Sequence, residues 1–133
     1  NMGTIIRTAV AASIDGIITS QNCVDIYNSK SIRASMGTVF FAPIETHDFD
    51  WLQNQNSEII VSSLDSDAVN YETIDKVDKS SILVIGSEAH GISEKIVKIA
   101  NQKIKIPLSE KIESLNAAIS TAILISKIFG FKG

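Results

Sequence analysis

The segment 112–129 constrains the fold more than any other part of this chain. We predict a helix here, capped by Ser114 and ended by Gly130. Its apolar residues fall on almost every side of such a helix: Ala117, Ala118, Ile119, Ala122, Ile123, Leu124, Ile125, Ile128 and Phe129. Because a helix that is apolar all round must be covered on more than one face, we expect contacts with a sheet and with a second subunit. Its first amides, flanked by Ser114 and Asn116, would face a ligand or a loop.

Shorter apolar runs alternate with amphipathic segments along the rest of the chain. The patterns predict strands at 16–19, 58–63, 82–86 and 103–106, and helices at 2–12 (capped by Asn1), 28–36, 49–55 and 94–100. Pro43 is expected to end the apolar run at 39–41, and the polar run 65–79 to form a loop or a weak surface helix. Buried strands alternating with helices are typical of a parallel sheet covered on both faces. We therefore predict one α/β domain.

Composition excludes several classes of protein. The net charge of −3 argues against broad nonspecific binding of nucleic acid, which needs a basic face, but is compatible with a small basic patch. The longest apolar stretch, 115–129, is too short and too often interrupted by polar residues to span a bilayer. The single cysteine, Cys23, cannot form an internal disulfide. We interpret it as a half-buried structural thiol, which fits a reducing cytoplasm.

The predicted sheet places three loops at one edge. Ligands of parallel sheets bind beyond the carboxyl ends of the strands. The loops that leave strands there are 62–64, 86–91 and 107–116. Gly86 and Gly91 permit tight turns and a close approach of the backbone to a ligand. We therefore expect a binding site to form from these loops.

Several common catalytic and cofactor motifs are missing from these loops. Neither the G-x-G-x-x-G dinucleotide fingerprint nor a phosphate-binding loop ending in Gly-Lys-Ser/Thr occurs. His47 and His90 lack a third ligand at metal-binding spacing, so we expect no metal site. We interpret both histidines as surface residues or structural hydrogen-bonding residues.

Three ordered segments of the chain have the character of family motifs. The first is NMGTIIRTA at 1–9, supported by RASMGTVF at 33–40 with Pro43 just beyond. The second is LVIGSEAHGI at 83–92, and the third is IPL at 106–108 followed by ESLN at 113–116. Together, in this order and over practically the whole chain, they resemble the motifs of the SpoU-type (TrmH-like) RNA ribose 2′-O-methyltransferases of the SPOUT superfamily.

The resemblance implies a deep trefoil knot in the C-terminal part, a homodimer, S-adenosylmethionine as cofactor, transfer RNA or ribosomal RNA as substrate, and no metal. By position, the cofactor would be held by Ser62, Leu64, Gly86, Ser87, Gly91, Ile106, Leu108 and Leu115. The family's functional polar positions fall on Asn1, Arg7, Glu88, Ser114 and Asn116.

The implied reaction is the in-line attack of a ribose 2′-oxygen on the methyl group of a sulfonium. Since a guanidinium is effectively always protonated, we expect Arg7 to bind a phosphate or the developing oxyanion rather than to act as a base. Asn1 and Asn116 would orient the hydroxyl, Ser114 would hold the loop or accept a hydrogen bond, and Glu88 would fix its loop. Lys30 and Arg33, beside the first motif, form either an RNA-contacting patch or ordinary solvated surface.

The sequence departs from the family pattern in two places. Many members have Gly-Asn-Glu-Gly where residues 86–89 read Gly-Ser-Glu-Ala, a change that we expect to be tolerated. Members also have a strand before Asn1, usually after a separate RNA-binding domain. Because neither is in this sequence, we expect residues 1–133 to be the catalytic domain of a longer protein.

Two other functions are compatible with the same fold. One is a cofactor-free dimerisation or RNA-binding module, in which the five positions would be expected to lose their polar side chains. The other is a doubly wound protein that binds a small molecule, which the missing phosphate-binding signatures disfavour. Binding of S-adenosylmethionine would distinguish the methyltransferase from both.

Overall fold

The computed structural model describes residues 1–23, 25–77 and 79–132. The helices are α1 (Met2–Ala11), α2 (Ser29–Ala34), α3 (Phe49–Gln53), α4 (Glu94–Ile99) and α5 (Ala117–Ile128), with 3-10 turns at Thr38–Phe40 and Tyr71–Thr73. The strands are β1 (Ile17–Thr19), β2 (Ile44–Thr46), β3 (Glu58–Ser62), β4 (Val69–Asn70), β5 (Ser81–Val84) and β6 (Gln102–Lys105). No helix in the described ranges is long and apolar enough to cross a membrane.

The strands form parallel sheets, which confirms the predicted α/β class. Four of them lie in the order β4-β6-β3-β5, and every neighbouring pair is parallel. In β3 the consecutive residues Ile59, Ile60 and Val61 are all buried. Because successive side chains of a strand point to opposite faces, both faces of this central strand are covered. A second sheet, which the sequence did not predict, pairs only β1 with β2.

Helix α5 is covered on two faces by its own chain: its contact with the sheet was predicted, its contact with α1 was not, and the contact with a second subunit stays a prediction. The buried clusters that meet on it are Ile60, Ile104, Leu124 and Ile128 on the sheet side, and Ala9, Ala12 and Ile125 on the α1 side. Gly130 ends the helix with a φ of +74° and donates its N–H to the carbonyl of Ile125 at 3.0 Å. Ile119 remains 54% exposed.

The predicted start of this last helix was wrong. The helix begins at Ala117, and its N-cap is Asn116 rather than Ser114. The side-chain oxygen of Asn116 accepts hydrogen bonds from the N–H groups of Ala118, at 2.9 Å, and Ile119, at 3.2 Å. Both residues are of cap-forming types, and the tertiary path of the preceding loop decides between them.

This cap assignment gives a stability prediction. Replacing Asn116 by alanine is expected to lower the free energy of unfolding by about 1 kcal/mol, because the amides of the first turn lose their acceptor. Replacing Ser114 by alanine is expected to leave it unchanged. Urea unfolding followed by circular dichroism measures both, and equal losses from the two variants would contradict the assignment.

Helix α1 packs directly on α2 through Gly3. A Cβ atom added to Gly3 would lie 2.3 Å from the carbonyl oxygen of Ser31 and 2.8 Å from the Cβ of Ala34. No larger residue fits at such a contact, so the first turn of α1 is held against α2. Asn28 caps α2 by accepting a hydrogen bond from the N–H of Ser31 at 2.9 Å.

Two short strands were not predicted. β2 begins directly after Pro43, whose carbonyl accepts a hydrogen bond from Ile17 at 2.9 Å. β4 lies in the polar run 65–79, of which residue 78 is outside the described residues, and pairs with β6 at Val69 and Ile104. Neither β2 nor β4 carries an apolar run such as the one that predicted β1, so their pairing partners alone define them.

Candidate active site

The three loops predicted to meet at one edge of the sheet enclose a cavity of about 410 Å³. They meet because β3 lies between β5 and β6 in parallel register, which brings the carboxyl ends of the three strands together. All eight residues expected to hold a cofactor line this cavity: Ser62, Leu64, Gly86, Ser87, Gly91, Ile106, Leu108 and Leu115.

In the loop after β5, the backbone of Gly86 packs directly against the backbone of Gly91. A Cβ atom at Gly86 would lie 2.5 Å from the carbonyl carbon of Gly91 and 2.8 Å from the N atom of Ile92. The N–H of Gly91, at a φ of +64°, donates to the carbonyl of Ser87 at 2.8 Å. The Ser87 hydroxyl oxygen accepts from the N–H of His90 at 3.1 Å. The cavity wall here is therefore backbone at a distance that only glycine permits.

The loop after β3 is anchored to β6 by charge. Lys103 Nζ lies 2.6 Å from Asp67 Oδ2 and 3.7 Å from Asp65 Oδ2, and Asp65 lines the cavity. The hydrogen bond from Lys103 holds the pKa of Asp67 below its usual value, and the same bond raises the pKa of Lys103. Sequence reasoning missed this anchor, because its partners are far apart in the chain and show no motif.

Three of the predicted polar residues form a hydrogen-bonded cluster beside the cavity. Asn1 Nδ2 donates to Glu88 Oε1 at 2.7 Å, and Asn116 Nδ2 donates to Asn1 Oδ1 at 2.9 Å. The N–H of Ala117 lies 3.5 Å from the same Glu88 oxygen. Since Glu88 and Ala117 also line the cavity, the polar cluster and the cavity share a border.

The structure corrects one prediction about this cluster. Asn1 precedes α1 but its side chain makes no capping hydrogen bond to that helix. The side chain instead links Glu88 and Asn116, which lie 87 and 115 residues away along the chain. Asn1 therefore occupies the predicted N-cap position of α1, but its side chain does not cap the helix as predicted.

The two remaining polar residues are placed differently. Ser114 is exposed and lines the cavity. Arg7 is exposed on α1, about 9 Å along the helix axis from Asn1, and does not line the cavity. The guanidinium of Arg7 makes no hydrogen bond or ion pair with any described residue, so it is available to an external anion.

The histidines have separate environments. His47 stacks on Trp51 with ring centroids 4.2 Å apart and lies 3.8 Å from Glu45, as expected of a structural residue. His90 is exposed and lines the cavity. The described residues contain no group of three or more His, Cys, Asp or Glu side chains close enough to hold a metal ion. Cys23 is half-buried, as predicted.

The sequence matches the profile of the SpoU rRNA Methylase family over residues 1–126. An uncharacterised tRNA/rRNA methyltransferase of Mycoplasma genitalium is 33% identical over 94% of this chain and 54% of its own length. The 23S rRNA (guanosine(2553)-2′-O)-methyltransferase of Bacillus subtilis is 29% identical over 98% of this chain and 53% of its own. The AdoMet-bound rRNA methyltransferase from Sinorhizobium meliloti superposes with a TM-score of 0.87 at 33% identity, covering 94% of this chain and 49% of that one. The chain thus spans about half the length of these relatives.

Proposed function

Because the chain belongs to the SpoU rRNA Methylase family, we propose that it transfers a methyl group from S-adenosylmethionine to a ribose 2′-hydroxyl of transfer RNA or ribosomal RNA. The family uses S-adenosylmethionine as its cofactor. The observation that carries the proposal is the shared border between the cavity and the cluster of Asn1, Glu88 and Asn116.

The residues of the cavity fit this cofactor. A volume of about 410 Å³ lies within the range of small-molecule sites. Ile106, Leu108 and Leu115 offer apolar surface for a flat base, while the backbone between Gly86 and Gly91 can approach closely. The charged residues in the lining are the carboxylates Asp65 and Glu88, and within the described residues no lysine or arginine lines the cavity. That charge suits a cationic ligand.

When bound, the cofactor supplies an electrophilic methyl group on a sulfonium. The chain's own contribution is orientation and electrostatics. The amide of Asn1 is fixed at both ends, since its oxygen accepts from Asn116 and its nitrogen donates to Glu88. Such a fixed amide can orient a ribose hydroxyl without reorganising. Ser114 holds the third loop of the cavity, and Arg7 stabilises a phosphate or the developing oxyanion.

The proposal extends to the homodimer and the deep trefoil knot. The exposed apolar side chains Leu64, at 63%, and Ile119, at 54%, offer surface for a second copy beside the cavity and along α5. β6 lies between β4 and β3, two strands that precede it in the chain, which is compatible with a threaded C-terminal part. Light scattering would test the dimer, for which we expect twice the mass of one chain.

Calorimetric titration with S-adenosylhomocysteine tests the cofactor site directly. We expect saturable binding with one ligand per chain. A methyl-transfer assay with radiolabelled S-adenosylmethionine on bulk ribosomal and transfer RNA then tests the reaction. If the folded, full-length protein bound no S-adenosylhomocysteine, the methyltransferase proposal would be overturned. The remaining function would then be the cofactor-free dimerisation or RNA-binding module.

The pairing of Lys103 with the loop after β3 gives a further prediction. Replacing Lys103 by methionine is expected to weaken binding of S-adenosylhomocysteine about two- to fivefold, because the loop carrying Leu64 and Asp65 loses its anchor. Replacing the exposed Lys98 of α4 by methionine is the control and should change nothing. Unchanged affinity in the Lys103 variant would contradict the anchoring role.

The pH dependence of this effect follows from the two pKa shifts. Asp67 has a lowered pKa, so its carboxylate is charged above the ordinary carboxyl range. Its contribution to anchoring the loop is lost only as the pH falls through the lowered pKa. Lys103 has a raised pKa, so its contribution to anchoring the loop is lost only as the pH rises through that raised pKa. The difference in affinity between wild type and Lys103→Met is therefore expected to stay constant between about pH 6 and pH 9.

A further inference from the structure

We propose that Tyr27, Lys30, Arg33 and Phe40 form a platform that binds single-stranded RNA, its rings stacking on bases and its cations contacting phosphates. We call these four residues the α2 platform. The inference rests on the proposed function and deepens it, because it assigns to this chain a surface that guides the RNA strand to the cluster of Asn1, Glu88 and Asn116.

The two aromatic rings of the platform are exposed and adjacent. Tyr27 is 55% exposed and Phe40 is 66% exposed, and their ring centroids lie 6.2 Å apart at an interplanar angle of 32°. The N–H of Tyr27 donates to Asp25 Oδ1 at 3.0 Å, and Phe40 follows the buried Val39. Two adjacent exposed rings are what sequence-tolerant stacking of bases requires.

The two cations of the platform share one face of α2. Lys30 and Arg33 are three residues apart on the helix, and both are exposed. Neither makes an ion pair with any described residue, whereas Lys79 and Lys103 do. Residues 1–44 contain three basic and two acidic residues, a formal charge of +1 in a chain whose total is −3. The platform therefore lies in a part of the chain with a small net positive charge, which suits a polyanion.

The platform is linked to the polar cluster through the packing of α1 on α2. Gly3 packs against Ser31 and Ala34, the residues that follow Lys30 and Arg33 in the chain. Gly3 lies two residues after Asn1, which belongs to the cluster. A strand whose ribose reaches Asn1 would therefore pass beside α2.

The combination of rings and cations favours RNA over another occupant. A purely apolar patch would suit a protein partner, but cations without ion pairs at its border would then be desolvated at a cost. Bases and phosphates satisfy both kinds of side chain at once. A second copy of this chain is the competing occupant, and the experiment distinguishes it.

The test is fluorescence anisotropy with a 5′-fluorescein-labelled single-stranded RNA of mixed sequence, about 12 nucleotides long, at low salt. Replacing Phe40 by alanine is expected to weaken binding about tenfold, and Phe40→Tyr should restore it, because stacking needs only a ring. The matched control is Phe131→Ala, which removes a ring that is 51% exposed elsewhere. Lys30→Gln and Arg33→Gln should each lower the slope of log affinity against log salt by about 1.

Three outcomes would overturn the platform: no RNA binding by wild type, equal losses from Phe40→Ala and Phe131→Ala, or dissociation of a dimer by Phe40→Ala with RNA affinity unchanged. The last outcome would assign the surface to a second copy. Titration of the same variants with S-adenosylhomocysteine keeps the two proposals apart. Variants that lose RNA binding but keep cofactor binding would support the platform as an RNA-binding surface. A wild-type protein that binds RNA but no cofactor would contradict only the proposed reaction.

Discussion

Replacing Gly86 by alanine is expected to weaken binding of S-adenosylhomocysteine by about 100-fold or more, the largest effect on the cofactor site. The added Cβ would lie 2.5 Å from the carbonyl carbon of Gly91, which is backbone and cannot rotate away. The loop after β5 must therefore open, and this displaces Ser87 and Glu88 from the cavity wall. Calorimetric titration measures the loss, and urea unfolding reports whether the fold survives.

Gly16 provides the matched control for this substitution. It is exposed, and a Cβ atom there would lie 3.9 Å from the carbonyl oxygen of Pro43, an ordinary contact. Gly16→Ala is thus expected to keep cofactor affinity and stability. If Gly86→Ala bound the ligand as tightly as Gly16→Ala does, the close approach of Gly86 to Gly91 would have no part in holding the cofactor.

Replacing Arg7 by lysine is expected to lower methyl transfer by about 100- to 1,000-fold while leaving cofactor affinity unchanged. Arg7 does not line the cavity and has no partner among the described residues, so its substitution should not disturb either cavity or fold. A guanidinium presents a planar fork to a phosphate or an oxyanion, and the ammonium of lysine cannot reproduce its geometry. Single-turnover kinetics at saturating cofactor isolate the transfer step.

The exposed Lys98 of α4 provides the control, because it lies outside the cavity, the polar cluster and the α2 platform. Lys98→Met is expected to leave turnover unchanged. Turnover retained in Arg7→Lys would refute the role assigned to Arg7. A parallel loss of cofactor affinity would also refute it, since it would place Arg7 in the cavity.

Patterns along the chain predicted the larger elements well. α1, α4, β3, β5 and β6 appear within one or two residues of their predicted ends, because each carries a run long enough to show helical or buried-strand character. The same patterns predicted that the three loops at 62–64, 86–91 and 107–116 would meet, since parallel strands place their carboxyl ends at one edge. The cavity lined by these loops is consistent with that prediction.

Short elements and side-chain roles were predicted less well. β2 and β4 have three and two residues, too few for periodicity, and exist through their partners β1 and β6. Ser114 and Asn116 are both cap-forming residues two positions apart, and only the course of the loop makes Asn116 the cap. The roles of the five polar residues stay predictions until the variants above are measured.

The amino-acid sequence by itself determined the α/β class, the position of the long buried helix and the glycine loop. It also carried the resemblance to the SpoU-type methyltransferases. The tertiary structure alone decided that Asn1 joins Glu88 and Asn116, and that Lys103 anchors the loop carrying Asp65. The physical reason is the range of the interactions. Helices and strands arise from neighbours a few residues apart, which leave a periodic signal, whereas a hydrogen bond between residues 87 or 115 positions apart leaves none.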